Sequence, residues 1–143
     1  MALSMIAAQT YLEAAKAYFA FLIPEFAFTL SKETARDAVF YELQYRNPAQ
    51  IISISYENLE NYLQVIVFQL VNQQLPSYDD PRRTLHLNAL NQALGALVGP
   101  ANWKENQRHF RQFKPEGNVE RQLLKSAKEL RLCLTHFEKL QAP

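Results

Sequence analysis

The chain has 143 residues, 15 of them basic and 14 acidic, and 48% apolar. That apolar content excludes a disordered chain, and a net charge of +1 removes the global positive field that holds nucleic acid through counterion release. A single cysteine, Cys133, excludes an intrachain disulfide and fits a reducing compartment.

The N-terminal stretch reads as a helix from Leu3 to Leu22. Ala8, Leu12, Ala15, Phe19 and Leu22 recur at three- and four-residue spacing and share one face. No basic residues precede its apolar part, and Glu13 and Lys16 interrupt it, so it is expected to be an amphipathic helix and not an export signal. No apolar run of about 18 residues is present, so no transmembrane helix is expected. Pro24 is expected to end the helix.

FAFTLS, Phe26 to Ser31, alternates as a first strand would, and SKETARD reads as a polar connection. The second strand runs from Asp37 to Arg46, with Val39, Tyr41, Leu43 and Tyr45 on one face. Asn47-Pro48 supplies a turn. The third strand, Ile51 to Tyr56, sets Ile52, Ile54 and Tyr56 against Ile51, Ser53 and Ser55. One side of the sheet should therefore be packed and the other partly wet. Glu57 and Glu60 belong to a solvated turn, and Tyr62 to Val71 reads as a fourth strand, β-branched at its centre. NQQLPSYDDPRR, residues 72–83, is the longest loop.

The rest reads as helical. Leu85 to Leu97 ends at Gly99-Pro100, Trp103 to Phe113 forms a shorter helix, and Asn118 caps a last helix from Val119 to about Leu140. The expectation is one α+β domain over residues 1–143: an N-terminal helix, a four-stranded antiparallel sheet, and C-terminal helices packed on one face.

Chemical signatures are sparse. His86, His109 and His136 form neither an HExxH motif nor a Cys/His metal spacing. Cys133 and His136 lie three apart on the last helix, as a thiolate pair could, but the leucines around Cys133 make packing the simpler reading. With three glycines in the chain, a glycine-built phosphate loop is excluded. No catalytic, cofactor-binding or metal-binding residue, and no cofactor, is expected. Asp79-Asp80 in the proline-rich loop is either an acid pair at a site or an ordinary turn, with Asp80 free to cap a helix near Pro81. From Trp103 onward nine basic residues face five acidic ones, and NWKENQRHFRQFK interleaves them with aromatics. Nucleic acid could use such a surface through Arg108, Arg111 and Lys114. A protein partner could use it by charge complementarity. Tyrosines crowd the strand region, where they serve either packing or an interface.

The phrases YFAFLIPEFAFTLSKE, AVFYELQYRNPAQIISISYE and LQVIVFQL, spanning Tyr18 to Leu70, resemble small uncharacterised bacterial α+β proteins of the polymorphic-toxin immunity type. The glycine of their FL..EFGF phrase is Ala27 here. The resemblance implies a cytoplasmic bacterial protein with a non-enzymatic role, and carries over no site residue. The leading expectation is thus a protein-binding or inhibitory, immunity-like domain, contacting its partner through Tyr45, Tyr78, Asp79, Asp80, Arg108 and Arg111. A homodimer is compatible with it; a membrane is not. The alternatives are a small enzyme or ligand-binding domain, with Asp79, Asp80 or His109 at the mouth of a pocket between sheet and helices, and nucleic-acid binding through the basic C-terminal part.

Overall fold

The computed structural model describes residues 5–141. The chain runs α1 (Ala8–Tyr18), α2 (Leu22–Phe26), β1 (Thr29–Arg36), β2 (Phe40–Arg46), β3 (Gln50–Glu57), β4 (Tyr62–Gln69), β5 (Thr84–His86), α3 (Leu87–Leu94), α4 (Pro100–Phe110), α5 (Gly117–Thr135) and α6 (Phe137–Gln141). All five strands form one antiparallel sheet in the order β1-β2-β3-β4-β5. The fold is α+β with helices at both ends, but the sheet has five strands and not the four expected.

The extra strand is β5. Three residues are too few to show a period of two, and Leu85 fits the helical spacing of the leucines that follow. The chain in fact pairs Leu85 with Val67 before α3 begins at Leu87. The first strand is also displaced. FAFTLS alternates, yet Phe26 closes α2, Phe28 plugs the core and the strand proper is the polar TLSKETAR. A strand at the sheet edge with little apolar contact carries no hydrophobic alternation, so its period was invisible. The first helix is likewise two. α1 stops at Tyr18, and Pro24 sits in the first turn of α2, where its missing N–H would have had no partner. Leu3 and Ser4 lie outside the described residues. Asn118 is the second residue of α5 and not its cap; Gly117, at φ 87°, turns the chain into that helix, a conformation that favours glycine.

The helices cover one sheet face. Tyr41, Leu43 and Tyr45 of β2, Ile52, Ile54 and Tyr56 of β3, and Val65 and Val67 of β4 form one core with Tyr11, Ala15 and Tyr18 of α1 and Leu123, Ala127 and Leu130 of α5. Burial of large apolar side chains at about 25 cal/mol per Å² supplies the main driving force. Five tyrosines lie in this core, where an unpartnered polar group is costly. Four of them donate a hydrogen bond: Tyr11 to the Ile54 carbonyl (3.2 Å), Tyr18 to Glu120 Oε1 (3.1 Å), Tyr41 to the Ile6 carbonyl (2.9 Å) and Tyr56 to Asn61 Oδ1 (2.7 Å). The far face presents Glu42, Gln44, Ser53, Ser55 and Gln64 in register, with the Ser53 hydroxyl donating to Glu42 at 2.6 Å. Residues 70–83 fold back over this face. Arg46 holds the Gln73 carbonyl (2.9 Å) and Gln64 the Tyr78 hydroxyl (3.1 Å).

Two alanines occupy left-handed backbone. Ala27, at φ 60°, closes α2, and the Phe28 N–H then bonds to the Leu22 carbonyl at 3.0 Å. Asp37 and Ala38, at φ 49° and 55°, are the central residues of a turn in the three-residue connection between β1 and β2, closed by Val39 N–H to Arg36 C=O at 2.8 Å. Both central positions of that turn need positive φ, which suits glycine at the second. A Cβ there costs about 1–2 kcal/mol, partly offset by the greater freedom of glycine in the unfolded chain. Ala27→Gly and Ala38→Gly are each expected to raise stability by about 1 kcal/mol, measured as a higher urea midpoint with unchanged slope.

Candidate functional site

A concave site lies along the outer edge of β5. The loop before it is built from short-range hydrogen bonds. The Thr84 N–H donates to the Asp80 carbonyl (2.8 Å) and its hydroxyl to that of Ser77 (2.8 Å). Asp80 Oδ1 accepts the Arg82 N–H (3.0 Å), and its other oxygen lies 3.7 Å from Arg83. Asp80 therefore closes a turn and caps no helix. These bonds hold Tyr78 edge-on to His86, ring centroids 5.9 Å apart, with the tyrosine 59% exposed. Beyond it opens a cleft of about 480 Å³, walled by Tyr78, Asp79, Thr84 and His86 and floored by Leu90, Ala89, Ala93 and Leu140. Ala89 and Ala93 sit one turn apart on α3, and their small side chains leave the space. An apolar floor with a few polar groups at the rim is the general form of a recognition site. Asp80 and Asp79 differ here, because the Asp79 carboxylate has no salt bridge among the described residues.

Of the residues expected at an interface, the structure brings Tyr78 and Asp79 to this cleft, with Asp80 bracing its loop. Tyr45 is not at the surface. It is 1% exposed within the core, and burial, with Glu33 adding to it, pushes its hydroxyl up to about 12. It belongs to the alternating set that faces the helices, so strand register buries it. Arg108 and Arg111 are exposed at the end of α4 and line no part of the cleft. His86 was not singled out as a rim residue. Only the pairing of β5 with β4 shows it beside Tyr78, and three residues carry too little pattern for that to be read.

A second polar group lies where α2, α4 and α5 meet. Arg131 donates Nε to both Glu25 oxygens (3.0 and 3.3 Å) and Nη1 to Asn106 Oδ1 (2.9 Å), and its Nη2 lies 2.9 Å from Glu25. Asn106 in turn donates to the Lys128 carbonyl (2.9 Å). A cavity of about 440 Å³ adjoins it, but the guanidinium donors are already engaged, so the group is a clamp between helices and not a vacant anion site. His109 stands 3.8 Å from Glu25 and packs on Phe110 and Phe21. Burial, then the Arg131 charge, lowers its pKa from the ordinary 6.5, with Glu25 pulling the other way.

Cys133 is fully buried among the core leucines, and burial, reinforced by Glu129, pushes its thiol up to about 12. His136 closes α5, and its Nε2 is buried without a hydrogen-bond partner, so it is not paired with the thiol. Among the described residues no group of three or more His, Cys, Asp or Glu side chains could hold a metal ion, and no helix is long and apolar enough to cross a membrane.

Cys133 is expected to resist a thiol reagent at pH 7 in the native protein and to react fully in guanidinium; rapid native labelling would contradict its packing role. For His109 the unfolded chain holds the proton more tightly than the fold. Its contribution to stability is complete above about pH 6.5 and is lost as the pH falls below that value. Urea midpoints at about pH 7.5 and pH 5 should fall further for the wild type than for His109→Gln.

Comparison with known proteins finds no matching family model, no matching curated protein and no matching solved structure.

Proposed function

We propose that the chain is a non-enzymatic protein-binding domain that uses the β5-edge cleft for recognition. The observation that supports it most is the pairing of a well-exposed aromatic, Tyr78, with an apolar hollow and an unpaired carboxylate, Asp79, on a loop braced by hydrogen bonds. Interface energy concentrates in such aromatics seated beside pockets, and their low rotamer freedom limits the entropy lost on binding. A cleft this open at a sheet edge suits a side chain offered by a partner protein. The ligand-binding alternative shares the same rim, through Asp79 but not through His109, which lies elsewhere.

The narrower reading, inhibition of a toxin, rests on the resemblance spanning Tyr18 to Leu70. The chain departs from the family phrase at Ala27, where that phrase has glycine. Suppression, on co-expression, of the lethality of a toxin encoded beside the gene would test that narrower reading.

The test of the binding role is a pulldown from the source cell, followed by calorimetry with the recovered partner at physiological salt. Tyr78→Ala is expected to weaken binding by about thirtyfold or more, the threshold of an interface hot spot. Asp79→Asn is expected to weaken it by a smaller factor and to flatten its salt dependence. Unchanged affinity for Tyr78→Ala, or a small molecule in the cleft with no protein partner, would defeat the reading.

A further inference from the structure

The cleft runs along a sheet edge whose backbone is not fully paired. β5 is the last strand in the order, and Thr84, Leu85 and His86 all line the cleft. Opposed residues of an antiparallel ladder alternate between pairs that exchange both backbone hydrogen bonds and pairs that exchange none. The Gln69 N–H donates to the Arg83 carbonyl at 2.7 Å, so that pair is of the bonded kind. The register continues with Phe68 opposite Thr84, Val67 opposite Leu85 and Ile66 opposite His86. Leu85 therefore turns its backbone groups to Val67, while those of Thr84 and His86 point away from β4, to the side of the cleft.

Two of these outward groups are engaged. The Thr84 N–H donates to the Asp80 carbonyl (2.8 Å), and His86, the N-cap of α3, gives its carbonyl to the first bond of that helix. The Thr84 carbonyl and the His86 N–H remain. Outside the ladder, no hydrogen bond among the described residues uses either group. Thr84 is only 4% exposed, so water offers its carbonyl little, and a buried backbone carbonyl calls for a donor. A carbonyl and an N–H on one edge, flanking a single residue, are the pair to which a further strand bonds.

The walls of the cleft suit the side chains of such a strand. A residue set opposite Leu85 shares its face of the sheet. Leu85 pairs with Val67 on the helix side and packs against the core, so the incoming side chain is directed onto Ala89, Leu90, Ala93 and Leu140. The residues before and after it point the other way, towards the Tyr78 and His86 rings. One apolar side chain therefore fills the floor, and its neighbours meet the aromatic rim.

We propose that the cleft takes an extended segment of the partner protein, which adds to β5 as a sixth strand and sets one apolar side chain over Ala89 and Ala93. This rests on the protein-binding reading of the same cleft and names the form in which the partner is recognised. The Asp80 carbonyl closes one end and α3 the other, so the added strand matches β5 in length, three residues.

The test uses linear peptides selected on the full chain from a random phage-displayed library, with affinities measured by calorimetry. His86 has φ −74°, and its N–H faces away from β4, so proline fits there without removing a ladder bond. His86→Pro deletes the N–H, whereas His86→Ala deletes only the imidazole. The selected peptides are expected to bind His86→Pro about tenfold more weakly than His86→Ala, with matching circular dichroism. N-methylation along the peptide gives a second measurement that needs no variant of the protein. One position, the N–H that meets Thr84, should lose about tenfold or more, and the next position should not. Peptides that are weakened by Tyr78→Ala, yet bind both His86 variants alike and tolerate N-methylation throughout, would overturn the added strand and leave the cleft as the binding site. Peptides indifferent to Tyr78→Ala, or a library that yields none, would overturn both.

Discussion

One buried side chain, Asn58, ties the lead into α1 to both hairpins. Its side-chain oxygen accepts the Ile6 N–H, and its two amide hydrogens are shared among the Ile6 carbonyl, the Ala38 carbonyl in the β1–β2 turn and the Tyr41 hydroxyl, which itself donates to the Ile6 carbonyl. Three stretches far apart in sequence converge on it: the lead into α1, the first hairpin and the second hairpin. Each bond contributes about 0.5–1.5 kcal/mol net, but each group left buried without a partner would cost about 1–3 kcal/mol. The asymmetry makes the amide a constraint and not a decoration. It fixes where α1 begins over the sheet, and with it the seating of Tyr11 against Tyr41 and Tyr56, ring centroids 5.3 and 5.7 Å away.

From that seating follows the division of the tyrosines. Tyr41, Tyr45 and Tyr56 share the face under the helices, while Tyr62 and Tyr78 reach solvent. A tyrosine serves in either place, being apolar along its ring and polar at its tip. Strand register decides between them, because a period of two sends alternate residues to opposite faces. The alternation of Ile52, Ile54 and Tyr56 against Ile51, Ser53 and Ser55 was legible in sequence for this reason. So was the long apolar stripe of α5, where Leu123, Ala127 and Leu130 repeat over a 19-residue helix.

What was not legible lacked a repeating apolar signal. β1 is a polar edge strand, β5 has three residues, and the break between α1 and α2 falls among aromatics that suit either helix. The same limit applied to function. The loop residues Tyr78 and Asp79 drew notice by composition, and both reach the cleft. Their companions His86, Ala89 and Ala93 are ordinary residues in one dimension and become a wall and a floor only through the β4–β5 pairing and the start of α3. Tyr45 drew notice by the same compositional reasoning and proved to be core, since residue type alone does not tell a strand's inner face from its outer one. Asn58 gave no signal at all, because a turn asparagine and a buried hub are spelled alike.

The sheet is a sequential meander, so each strand pairs with the neighbour that has just been made. Its apolar face, by contrast, is closed by elements from opposite ends of the chain. Tyr18 of α1 reaches Glu120 of α5 across 102 positions, and Glu25 reaches Arg131 across 106. During synthesis the hairpins can zip as they emerge, yet Tyr45, Ile52 and Val67 stay without their full cover until α5 has left the ribosome. A nascent chain stalled near residue 115 would carry a nearly complete sheet with half its roof missing. The polar edge of β1, with Lys32, Glu33 and Arg36 along it, then stands as the main guard against pairing with a neighbouring nascent chain.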